Sequence, residues 1–287
     1  MAADGVARVE QNQALGLAGD QSWPVGLFDM VWRTFATGFC FAVFGVGQLI
    51  MAVTVFPLLV LLVRNKQQRV RWGRRSVQLA FKGFALLMRV TGVLRCRIRG
   101  LEKLRQPGTL ILANHPSLID VVLLVSFIPD ADCIVKTALF KNPFTRYAVM
   151  AAGYIPSQRD PEQVIEACRA SLASGGCLVL FPEGTRTDPS GALRFQRGAA
   201  NLAIRVGCDM VPVVIRVSEH NLGKQSRWWR VPARKVSFDF EVKDRLSVSP
   251  WLQSGYEPAI AARELTASLT EYFTREIETP CPSWPKS

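Results

Sequence analysis

The chain has 287 residues with a net charge of +12, 49% hydrophobic and 20% charged side chains. That charged fraction excludes a protein made mainly of membrane spans, and the apolar fraction is high for a soluble domain, so one α/β domain with a single hydrophobic attachment is the expected organisation. The charge itself is concentrated: eleven Lys and Arg and no acidic residue lie between Arg64 and Arg99, beside an apolar segment rather than over a folded domain, which excludes nucleic acid as the partner.

In chain order, residues 1–33 read as an N-terminal tail, 34–92 as a membrane anchor, 93–279 as the α/β domain and 280–287 as a frayed C-terminal tail. Residues 1–20 are small and polar and lack the basic start of a secretory signal. Thr34 to Val63 holds thirty residues with no charged side chain, more than a bilayer core of about 30 Å requires at 1.5 Å per residue. Tilt, or a break near Gly45, Gly47 or Pro57, is expected, and both a full span and a re-entrant hairpin fit. Arg64-Asn65-Lys66 closes the segment. Basic residues at that end mark the cytoplasmic side and attract anionic headgroups.

Val77, Ala80, Phe84, Leu87, Met88 and Thr91 recur at helical spacing within the basic block, which predicts a helix lying on the membrane surface; a core helix with a solvated charged face is the alternative. Beyond it, strands are predicted over Leu94–Ile98, Thr109–Ala113, Cys133–Lys136, Cys177–Phe181, Val211–Val217 and Val236–Val242. Helices are predicted over about Pro116–Phe127, Pro143–Ala152, Pro161–Ala173, Arg197–Val206 and Pro258–Ile277. This alternation is that of an α/β sandwich. Seven scattered cysteines without a C-x-x-C pair read as reduced thiols facing a reducing compartment, and two histidines, His115 and His220, leave no metal-ligand spacing.

The chemistry concentrates in two clusters. In Asn114-His115-Pro116-Ser117-Leu118-Ile119-Asp120, five helical positions would turn His115 and Asp120 well apart, so His115 must precede the helix, with Pro116 at its first position. A carboxylate beside one imidazole nitrogen fixes the tautomer and leaves the other free to take a proton from a hydroxyl. The second cluster, Phe181-Pro182-Glu183-Gly184-Thr185-Arg186, ends a strand in a loop fit to receive an anion. Arg186 matches a phosphate, and Glu183 matches either acceptor hydroxyls or the arginine itself. His220 reads as a solvated loop residue before a second base, and Trp228-Trp229 fits the membrane interface and sheet packing equally.

These residues resemble the lysophospholipid (1-acylglycerol-3-phosphate) acyltransferase family, whose four blocks occur here in order: Asn114–Asp120, Gly153–Arg159 (GYIPSQR), Phe181–Arg186 and Val211–Ile215 (VPVVI). The resemblance covers roughly Leu101 to Val217. It implies a glycerolipid acyltransferase-like mixed sheet flanked by helices, and acyl transfer from acyl-carrier protein or acyl-coenzyme A to a lyso-lipid hydroxyl, with neither metal nor cofactor. It implies His115 as base and Asp120 as its orienter, with Arg159, Glu183, Gly184, Thr185 and Arg186 binding the acceptor, and Lys136 and Phe195–Gly198 in supporting positions. It also implies the cytoplasmic face of a bacterial inner membrane, with membrane phospholipids as partners. Pro156-Ser157-Gln158 departs from the residues that commonly precede the arginine in enzymes acylating lysophosphatidate. The stretch Asn114–Arg159 looks similar to bacterial members accompanying aryl polyene lipid synthesis, so a specialised lipid-linked hydroxyl of aryl polyene or ornithine lipid type is the alternative acceptor. A non-catalytic lipid-binding protein and a thioesterase are the remaining rivals.

Overall fold

The computed structural model describes residues 27–188, 190–218 and 235–279; the expectations for His220, Trp228-Trp229 and the C-terminal tail lie outside them. The first helix, α1 (Leu27–Val53), begins inside the segment 1–33 assigned to the tail, with Asp29 in its first turn ion-paired to Arg33 at 2.8 Å. A second helix, α2 (Val55–Leu62), follows directly. The interruption falls at Thr54 rather than at Gly45 or Gly47. Pro57 accounts for it, because its ring has no N–H to offer and crowds the carbonyl of Val53. Together Phe28–Leu62 are long and apolar enough to cross a bilayer.

Asn65 caps the third helix, α3 (Lys66–Val90), its side chain accepting from the backbone N–H groups of Gln67 and Gln68. This helix is not simply laid on a surface. Arg74, Val77, Gln78, Phe84 and Met88 are buried, and the Arg74 guanidinium reaches Asp132 at 2.5 Å and Asp130 at 3.1 Å. One face of the helix thus packs on the α/β domain as core. Gly73 shows how close the packing is, since a β-carbon there would stand 2.1 Å from the carbonyl oxygen of Ala151. On the outer face Arg71, Lys82 and Arg89 alternate with exposed Trp72, Leu79, Leu86 and Val90.

The domain is a seven-stranded sheet of order β1-β7-β6-β2-β5-β3-β4: β1 (Leu94–Arg99), β2 (Leu110–Ala113), β3 (Ala131–Val135), β4 (Ile155–Pro156), β5 (Cys177–Leu180), β6 (Met210–Val217) and β7 (Val236–Val242). All neighbouring pairs are parallel except β6 with β7, so the expected mixed sheet is the observed one. Alternation along β2 sorts the core. Ile111 and Ala113 face α3 and α4 (Asp120–Phe127), with Phe84, Met88, Leu123 and Leu124. Leu110 and Leu112 face α7 (Pro161–Ala173), α8 (Arg197–Val206) and α10 (Pro258–Glu278), with Ile165, Leu202, Leu265 and Phe273. Two short helices, α5 (Ala138–Lys141) and α6 (Arg146–Ala151), lie in the crossover from β3 to β4, and α9 (Ser249–Leu252) precedes α10. The sequence reading missed β4 because two residues carry no period.

Six of the seven cysteines fall among the described residues and all six are free thiols.

Candidate active site

Strands β2, β3, β4, β5 and β6 run the same way, so their carboxyl ends form one edge of the sheet, where open α/β folds place ligands. His115 follows β2 at this edge. The predicted helix start at Pro116 is wrong: Ser117 to Ile119 form a bend and α4 starts at Asp120 itself. The proline cue was outweighed by the carboxylate, which accepts the backbone N–H of Ser117 at 2.7 Å and so turns the chain back on itself. That bend brings Asp120 Oδ1 to 2.8 Å from His115 Nδ1.

Asp120 is fully buried, while the His115 side chain is 17% exposed. Burial pushes the Asp120 carboxyl above its ordinary range, against the opposing pull of His115 and of the backbone N–H groups of Ser117 and Val121. One ring nitrogen thus meets a carboxylate in the interior, and the imidazole retains a path to solvent. The ring also rests on Phe181, with centroids 4.6 Å apart, which restricts its rotation.

Glu183 lies beside His115 at the end of β5. It is 5% exposed, and its Oε1 accepts the backbone N–H of His115 at 2.8 Å and the hydroxyl of Thr187 at 2.9 Å. It therefore clasps the loop after β5 to the histidine backbone. The backbone N–H of Thr187 completes the clasp by donating to the His115 carbonyl at 2.7 Å. Burial raises the Glu183 carboxyl, and the two donated hydrogen bonds oppose that shift. Gly184 turns the loop at φ +65°, and the Gln196 backbone N–H closes it on the Pro182 carbonyl at 2.7 Å.

Asn114 is a positioning residue that pattern reading passed over. Its amide donates to the Ile215 carbonyl at 2.8 Å and accepts the Ile215 N–H at 2.7 Å, extending the β2–β6 pairing by one side chain. His115 is thus held from both neighbouring strands, through Asn114 to β6 and through Glu183 to the loop after β5. The only sequence signals were the asparagine before the histidine and the threonine after Arg186.

Gly184, Thr185 and Arg186 share the loop that holds Glu183, with Gly184 and Thr185 exposed and Arg186 half-buried. Arg159 stands apart. It is exposed beyond β4, three strand spacings or about 14 Å from β2 along the same edge, with the exposed Lys136 ending β3 between them. The edge therefore carries a fixed imidazole–carboxylate pair at β2 and basic side chains at the ends of β5, β3 and β4. Among the described residues no group of three or more His, Cys, Asp or Glu is arranged to hold a metal ion.

Comparison with known proteins adds one family model, three relatives and one solved structure. A family model described as "Acyltransferase" matches residues 95–216. The 1-acyl-sn-glycerol-3-phosphate acyltransferase of Helicobacter pylori is 32% identical over 172 residues, which cover 57% of this chain and 69% of that protein. The enzyme of the same name from Pseudomonas aeruginosa is 27% identical over 51% of this chain and 58% of its own length. The chloroplastic enzyme LPAT1 of Arabidopsis thaliana is 31% identical over 42% of this chain and 36% of its own length. The chain thus spans less than two thirds of these last two relatives. In fold, it resembles the crystal structure of the 1-acyl-sn-glycerophosphate acyltransferase PlsC from Thermotoga maritima, with a TM-score of 0.62 at 17% identity, over 88% of this chain and 99% of that one.

Proposed function

This chain belongs to the 1-acyl-sn-glycerol-3-phosphate acyltransferase family, and from that membership we propose that it moves a fatty acyl chain from a thioester, acyl-carrier protein or acyl-coenzyme A, to the hydroxyl of a lysophospholipid, with 1-acylglycerol-3-phosphate as the acceptor. The observation that carries the reading is the pair at the end of β2: Nδ1 of a solvent-reachable imidazole 2.8 Å from a wholly buried carboxylate. Asp120 holds the Nδ1–H tautomer, and Nε2 takes the proton of the acceptor hydroxyl. The hydroxyl oxygen attacks the thioester carbonyl, a C–O bond forms, the C–S bond breaks, and the imidazolium returns the proton to the departing thiolate. Neither a metal nor a covalent enzyme intermediate is required.

Arg186, Lys136 and Arg159 give the same edge a basic character suited to a phosphate-bearing acceptor. In this reading Phe28–Leu62 attaches the protein to a bilayer, and the basic residues that follow it support a domain on the cytoplasmic face of a bacterial inner membrane. A second acceptor, a specialised lipid-linked hydroxyl of aryl polyene or ornithine lipid type, is favoured by one observation: Pro156-Ser157-Gln158 precede Arg159. The test is acyl transfer by purified full-length protein from labelled thioesters to a panel of lyso-lipids, beside His115→Ala. Loss of turnover in a variant with unchanged melting temperature supports the assigned base. Substantial residual transfer refutes it, and release of free fatty acid would make the protein a thioesterase.

A further inference from the structure

We propose that the crossover from β3 to β4, residues 138–151, is a second lipid-contacting surface that rests on an anionic bilayer beside the N-terminal helices; the inference rests on reading α1 and α2 as membrane-attached. Phe144, Tyr147 and Met150 are 50%, 44% and 57% exposed and recur every third residue along one side of this segment. The opposite side is buried: Ala148 and Ala152 pack with Phe56 of α2 and Val77 of α3. Three large apolar side chains so closely spaced and turned outward gain nothing from water.

The segment cannot swing away from the anchor. Gly73 lets α3 touch the backbone at Ala151, the Arg74 guanidinium donates to the Ala152 carbonyl at 2.9 Å, and Gly153 abuts Val70. The Phe144 ring lies 3.9 Å from where a β-carbon on Gly45 of α1 would stand, so its face continues into the exposed Val46 and Leu49 of that helix. The apolar surface of the crossover and that of the bilayer-length helix are one surface, set by rigid packing.

Charge identifies the occupant. From Cys133 to Arg159 the chain has four basic residues, Lys136, Lys141, Arg146 and Arg159, and no acidic one. Lys141 and Arg146 are exposed beside the apolar trio, with the Arg146 guanidinium 5.1 Å from the Tyr147 ring. Aromatic side chains edged by Lys and Arg suit the headgroup region of an anionic leaflet. Because this crossover starts at Lys136 and returns into β4 before Arg159, its seat on the bilayer brings that end of the sheet edge to headgroup level. An amphiphilic acceptor then reaches the site by moving sideways within the leaflet.

The experiment replaces single residues of the full-length protein by p-benzoylphenylalanine, irradiates it in phosphatidylcholine–phosphatidylglycerol vesicles, and reads adducts by mass spectrometry. Positions 144, 147 and 150 test the crossover, Ile50 reports on α1, and exposed Tyr256 near α10 serves as the control. The expected result is a mass shift of one phospholipid at the crossover positions and at Ile50, and none at Tyr256. Lipid adducts at Ile50 with none on the crossover overturn this inference and leave the membrane reading standing. Absence of lipid adducts at Ile50 as well overturns both. A crosslink from position 144 to a second copy of the chain would make the face a protein interface and equally overturns the inference.

Discussion

Replacing Glu183 by alanine should cost stability and turnover together, because the carboxylate ties the loop after β5 to the backbone of His115. Its Oε1 accepts from the His115 backbone and from Thr187, in a site 5% exposed. Truncation strands the His115 N–H, which costs about 1–3 kcal/mol, and removes a bond to a charged acceptor of similar worth, giving ~3 kcal/mol for the variant. In a domain of this size that lowers the melting temperature by roughly 6–12 °C. The loosened histidine should also lower kcat with little change in KM. Glu183→Gln keeps an oxygen in place and removes a charge that burial disfavours, so at neutral pH it should melt close to the native protein. The assay is a thermal melt of both variants by circular dichroism, with steady-state kinetics at saturating donor. An alanine variant with unchanged melting temperature and kcat, and a raised acceptor KM, would refute the clasp and return Glu183 to the acceptor.

Asp120→Asn should separate stability from activity. Burial holds this carboxyl above its ordinary range, so the folded protein bears the cost of its charge once pH exceeds that raised value; at neutral pH the amide variant should melt no lower than the native protein, while kcat falls about 10²–10⁴-fold through loss of the correct tautomer. An intact kcat would dismiss Asp120 as orienter. Gly73→Ala forces a β-carbon to 2.1 Å from the Ala151 carbonyl oxygen and should destabilise by about 3 kcal/mol in a denaturant titration; a neutral effect would show that α3 and α6 can separate. Glu241 gives a pH signature. Burial pushes its carboxyl up, but hydrogen bonds from Lys243 and Arg216 and the charge of Arg99 prevail and hold it at about 2 against an ordinary 4.5. The stabilisation is complete above pH 4.5 and lost as pH falls towards 2, so Glu241→Gln should lower the melting temperature at pH 7 and leave it unchanged near pH 2. Equal deficits at both pH values would contradict the assignment.

Local patterns carried much of this protein. Short apolar runs between helical stretches marked the strands, and the spacing of His115 and Asp120 required the histidine to lie outside the helix that holds the aspartate. What was illegible depended on partners distant in sequence. Pro116 looked like a first helical residue because nothing nearby indicates that the Asp120 carboxylate would bind Ser117 N–H and delay the helix. Arg74 read as one of many surface charges because Asp130 and Asp132, which bury it, lie more than fifty residues on. Glu183 carried the same ambiguity: a carboxylate in a loop announces chemistry, and only the folded chain shows it spent on two neighbours. Asn114 could be seen as part of a motif but not as an extra rung between β2 and β6.

The outermost strand of the sheet has a consequence for how the chain is born. β1 follows the N-terminal helices at once, yet among the described residues it pairs with β7 alone, Leu94 lying opposite Val236. At synthesis rates of roughly 5–20 residues per second, β1 waits about 7–30 s on the ribosome with its backbone donors and acceptors unmet. The sheet cannot close until all but about the last sixth of the chain has been made. A chain cut short before Val236 would keep His115, Asp120 and the loop after β5 and still present a raw edge for aggregation. Arginines at 95, 97 and 99, set into an otherwise apolar strand, are well suited to guard that edge during the delay.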